Sequence, residues 1–139
     1  MLIEVKAKVK RLVDDRTRSK TETFLTDKEV YGEAELAVMQ LLASETDVAE
    51  YSILSLKASP IKELYNVEEN GAEGADTYVA TLVDSFTDDK GNVKAIKYKV
   101  LLWADSIAQA NQRTQAFVRQ GYDLFVEGLS AKEITYINV

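Results

Sequence analysis

The residue types available for chemistry are few, because the 139-residue sequence contains neither cysteine nor histidine. A thiolate or imidazole nucleophile, a histidine base and the usual zinc ligand sets are therefore excluded. Carboxylates and basic side chains remain. Two acid pairs, Asp14-Asp15 and Asp88-Asp89, open the similar stretches DDRTRSKTETFLTD (14–27) and DDKGNVKAIKYKVLLWAD (88–105). Adjacent residues of a hairpin point to opposite sides, and neither pair continues into the alternating oxygen ligands of a calcium loop. Both pairs read as turn formers, since aspartate caps its own turn through side-chain hydrogen bonds. Gly71 and Gly74 lie in an acidic interval with no following lysine, which disfavours a phosphate-cradling loop. The expectation is a protein that is not an enzyme, needs no cofactor or metal and shows no evident small-molecule substrate.

The basic residues form the more informative pattern. Lys6, Lys8 and Lys10 occupy alternate positions and so share one face of a strand, with Arg16 and Arg18 at the tip that follows and Lys20 just beyond. Lys94 lies on the matching second hairpin, with Lys97 and Lys99 on the alternate face. Single-stranded nucleic acid is held by positive groups that follow the phosphates and by aromatic rings that stack on bases. Phe24, Tyr78, Tyr98 and Trp103 are the rings that extended segments could offer. The structural alternative is that the lysines are a solvated strand face guarding against aggregation and the rings fill the core.

These residues need elements to carry them. In IEVKAKVKRLV (3–13) Ile3, Val5, Ala7 and Val9 alternate with Glu4, Lys6, Lys8 and Lys10, which predicts a half-buried strand. A polar tip at 14–18 and an extended run over 20–25 complete a hairpin. From Val30 to Ala43 the apolar period becomes helical, with Asp27, Glu29 and Glu33 near the positive N-terminal end. Thr26-Asp27 and Ala104-Asp105-Ser106 precede the two helical segments as candidate caps. Residues 51–58 read as a third strand before Pro60. The order then recurs: strand 77–86, turn 88–92, strand 93–103, helix 106–119 with Gly121 as its stop, strand 122–129, and a short terminal strand over 133–139. The chain is thus expected to be a single α+β domain of two ββαβ repeats (about 1–60 and 77–139) joined by an acidic loop. Antiparallel sheet with two helices packed on one face would leave the other face open. Periodicity leaves both one continuous sheet and two sheets available.

Seventeen basic and twenty-three acidic residues leave a net charge of -6, which opposes nucleic-acid coating through overall charge. The charge is unevenly spread. Residues 1–20 hold seven basic groups against Glu4, Asp14 and Asp15, a surplus of four, whereas residues 27–76 are strongly acidic. With 46% apolar residues the chain can build one core, and the alternating N-terminus is neither a signal peptide nor a membrane span. A soluble cytoplasmic protein is expected, in the host cytoplasm if phage-encoded, with no membrane partner.

In order along the chain, IEVKAKVKR, KTETFLTD, EAELAV, ILSLKASPIKELY and ADTYVATLVDSFTDDKGNVKAIKYKVLLWA resemble a family of small uncharacterised proteins of gut Bacteroidetes and crAss-like phages. The family is classed as a domain of unknown function. The resemblance implies a phage or mobile-element protein with a replication-associated or DNA-handling role, and it supplies no active-site residues. The functional expectation is single-stranded DNA binding through Lys6, Lys8, Lys10, Arg16, Arg18, Lys20, Phe24, Lys94, Tyr98 and Trp103. Its alternative is a structural or protein-interaction module: a virion component, an inhibitor of a host protein, or a homo-oligomer joined through strand edges.

Overall fold

The computed structural model describes residues 2–119 and 124–137. Strand β1 (Ile3–Val13) pairs antiparallel with β2 (Arg16–Thr26) over its whole length. The turn between them is only Asp14 and Asp15, with φ of 50° and 64°. Two consecutive residues of positive φ make the tight turn that suits strand twist, and aspartate tolerates that region better than most residues. Arg16 to Arg18, expected at the tip, already belong to β2.

Helix α1 (Tyr31–Ser44) and strand β3 (Val48–Ala58) follow, β3 lying antiparallel against the other edge of β1. The next strand, β4 (Ile61–Tyr65), falls in the interval expected to be a loop, and a single 3-10 turn (Val67–Glu69) comes after it. The second hairpin is β5 (Asp76–Thr87) with β6 (Val93–Ala104), then helix α2 (Ile107–Val118), β7 (Leu124–Ala131) and β8 (Ile134–Ile137). Gly121, Tyr122, Asn138 and Val139, part of the expected helix stop and strands, lie outside the described residues.

The fold is α+β, with two four-stranded mixed sheets ordered β3-β1-β2-β8 and β4-β6-β5-β7. Three strands of each are antiparallel, as expected for a hairpin and a returning strand. The fourth strand adds a parallel pair: β8 beside β2, and β4 beside β6. Each fourth strand is contributed by the other half of the chain. The two compact units are accordingly Met1–Ser59 with Ile134–Val139, and Pro60–Glu133. The acidic segment is therefore a loop only after β4.

In the first unit Ile3, Val5, Ala7 and Val9, all fully buried, meet Ala34, Ala37, Val38 and Leu42 of α1. In the second, Tyr78, Ala80, Leu82, Val100 and Leu102 meet Ala110 of α2. Period-2 burial on the strand and period-3.6 burial on the helix make one apolar layer in each unit. The helix starts differ. Ser106 caps α2 by accepting a hydrogen bond from the Gln109 amide at 3.1 Å, as expected from its sequence. The expected Thr26-Asp27 cap is not used: the residue in that place is Val30, which makes no side-chain cap bond. Among the described residues no helix is long and apolar enough to cross a membrane.

Candidate nucleic-acid interface

Cross-strand register places side chains on the faces of the first sheet. Ile3, Val5, Ala7 and Val9 oppose Thr26, Phe24, Glu22 and Lys20, all on the α1 side. Lys6, Lys8 and Lys10 oppose Thr23, Thr21 and Ser19, and on the other flank Ser55, Ser52 and Glu50. The face turned away from α1 therefore carries a row of three lysines bordered by hydroxyls, and at its Glu4 end the buried Leu25, Ile134 and Tyr136. Lys8 is exposed, and Lys6 and Lys10 are half-buried. A shallow cavity of about 310 Å³ opens there, lined by Lys8, Lys10, Ser19, Glu50, Tyr51 and Ser52. Glu4, paired with Lys57 at 3.3 Å, ends the row on one side and Glu50 on the other. Four lysines against two glutamates leave this face a net charge of +2 in a chain of net charge -6.

The remaining expected site residues are distributed elsewhere. Arg16, Arg18 and Lys20 alternate with Thr17 and Ser19 and so take the α1 side of the sheet, away from the lysine row. Phe24 and Trp103 are each 1% exposed. Rings so enclosed present no face for a base to stack on; they fill the core, as does the buried Tyr78. Tyr98 is half-buried against the core of the second unit. Lys94, opposite Phe86, lies 4.0 Å from Asp88. Asp88 organises its own turn, its carboxylate accepting from the amides of Lys90 and Asn92, both at 2.9 Å. That is the turn role expected for this acid. Lys97 and Lys99 share the face opposite α2, where Lys97 bonds Glu127 at 2.9 Å. Within the first unit the structure thus unites Lys6, Lys8 and Lys10 on one face of the sheet and puts Arg16, Arg18, Lys20 and Phe24 on the other.

One polar centre was invisible to sequence reasoning. Arg11, on the α1 side of β1, donates to both oxygens of Glu22 (2.7 and 2.9 Å), to Glu45 beyond the end of α1 (2.5 Å) and to Asp47 (3.0 Å). The hydrogen bonds that Arg11 donates to Glu22 first, and those to Glu45 and Asp47, outweigh desolvation and raise the guanidinium pKa further. Arg11 ties the hairpin to the helix-strand connection. In the second unit Arg113 of α2 has the comparable task, bonding Glu69 and the carbonyl of Trp103. A sequence offers no cue for either, because the partners lie 10 to 44 residues away. Among the described residues no group of three or more acidic side chains is arranged to hold a metal ion.

Fold and face together define a small α+β protein of two mixed sheets with a basic, hydroxyl-rich strand face. The chain belongs to the family described as Domain of unknown function (DUF4494), whose model matches residues 1–137. No curated protein and no solved structure matches the chain.

Proposed function

We propose that this is a non-enzymatic binding protein that holds single-stranded DNA along the face of its first sheet opposite α1. The setting is the phage or mobile-element replication that the family resemblance implies. The observation that carries the reading is the row Lys6, Lys8 and Lys10 between the hydroxyls of β2 and β3. Alternate residues of a strand stand about 6.8 Å apart, so the row is a regular array of ammonium groups suited to a chain of anions. Serine and threonine beside them donate to phosphate oxygens.

Because Phe24 and Trp103 are enclosed, the contacts are with the sugar-phosphate backbone and not with bases. Binding is then indifferent to base sequence and steeply dependent on salt. The local surplus of charge on this face answers the objection raised by the acidic total. Fluorescence anisotropy of labelled oligonucleotides of different sequence, titrated at two salt concentrations, tests the reading. It predicts similar affinities across sequences at low salt and marked weakening at high salt; absence of binding at low salt overturns it.

A further inference from the structure

The outer side of α1 is apolar where that of α2 is polar. Matching the helices on their buried positions sets Ala34 with Ala110 and Val38 with Thr114, and brings Leu42 to the half-buried Val118. On the opposite side α1 exposes Gly32, Leu36, Met39 and Ala43, spaced four, three and four residues apart and so aligned in one stripe. Leu36 is 52% exposed and Met39 37%. The equivalent positions are Ala108, Gln112 and Gln115 of α2 and its C-cap Arg119, an ordinary solvated face. A helix in this place on the sheet therefore needs no outward leucine or methionine.

Gly32 supplies a second observation. A Cβ added there would meet nothing within 4 Å, so no neighbour in the chain requires its bare backbone. Glycine in a helix is unfavourable, and one use of its bare backbone is to let another group approach closely. Charge then selects the kind of partner. Glu29, Glu33 and Glu35 border the stripe, and no lysine or arginine occurs from 29 to 44. A second copy would bring the same acids and another net charge of -6 to this face.

We propose that the stripe Gly32, Leu36, Met39 and Ala43 of α1 is a docking surface for a basic amphipathic helix of a partner protein. The partner's apolar side chains seat against Leu36 and Met39, its backbone approaches at Gly32, and its lysines or arginines face Glu33 and Glu35. The surface is independent of the lysine row and does not rest on nucleic-acid binding.

The probe is a labelled synthetic leucine-lysine peptide patterned as an amphipathic helix, titrated with the full chain beside a scrambled peptide of the same composition. The patterned peptide is expected to bind about tenfold more tightly than the scrambled one. L36Q/M39Q, which installs the residues of α2, should remove that advantage without lowering the melting temperature, and G32A should weaken binding with the fold intact. Equal binding of the two peptides overturns the proposal, as does wild-type affinity in both variants. A wild-type dimer that L36Q/M39Q abolishes also overturns it, by making a second copy the occupant.

Discussion

Helices α1 and α2 cover equivalent sheets and bury Ala34 and Val38, Ala110 and Thr114 at matching positions, yet one carries Leu36 and Met39 outward and the other Gln112 and Gln115. The sheets differ in the same manner. Aligning the hairpins on their paired ends sets Lys6, Lys8 and Lys10 against Val79, Thr81 and Val83. Where the two units agree, the residues serve the shared fold: alternating apolar strands, a small residue where the helix crosses, an arginine clamp. Where they disagree, the fold has left the choice open. The first unit uses that freedom for charge on one side and an apolar stripe on the other.

The largest expected effect tests whether the enclosed positions are alike. Trp103 and Leu25 occupy equivalent places, both buried. Trp103→Ala should cost about 3–5 kcal/mol and Leu25→Ala about 2–5 kcal/mol in denaturant unfolding. A Trp103→Ala chain of near-normal stability but poor oligonucleotide binding would restore the stacking role that its burial denies. The clamps come next. Arg11→Ala should cost about 1–3 kcal/mol, nearer the low end because Asp47 and Glu45 remain partly in water. Raising salt should shrink that loss, since it eases the mutual repulsion of Glu22, Glu45 and Asp47. A loss that is salt-independent would point to packing of the arginine stem instead.

A smaller effect separates the parallel strand β8 from its neighbours. Burial first, and the charge of Asp27 second, push the Tyr136 phenol above its ordinary pKa. The folded state thus favours the neutral ring. Its contribution is complete below the ordinary phenol pKa, near 10, and is lost as pH rises through the raised folded value. Tyr136→Phe should therefore flatten the decline of stability above about pH 10; an unchanged decline would assign it to other groups. The smallest effect concerns the helices. Gly32→Ala should stabilise the chain by up to about 1 kcal/mol, because it replaces glycine in a helix facing open space. Destabilisation would reveal a neighbour that needs the space.

Much of this was legible along the chain. Both hairpins and both helices follow from local alternation and local periodicity, and the lysine row follows from the same rule applied to residues 3–13. The fourth strands were not legible in their places. β4 is five residues long and pairs in parallel with a strand about 38 residues onward, so no turn announces it. β8 was anticipated as a strand, but nothing nearby says that it joins the first sheet, more than 100 residues back. The aromatic part of the expected site failed for a related reason. Alternation assigns Trp103 to the face opposite α2, but it cannot say that this end of the face is enclosed. Arg11 had no signal, since nothing local marks it off from Lys10 beside it.

The measurement that tests the central claim most directly is the salt dependence of oligonucleotide binding by the wild type and by K6Q/K8Q/K10Q. If the lysine row follows the phosphates, the slope of log K against log salt should become shallower by about 2, three contacts at roughly 0.7 each, with weaker binding at every salt concentration. An unchanged slope and affinity would contradict the account and show that the lysine row of the first sheet is not where nucleic acid is held.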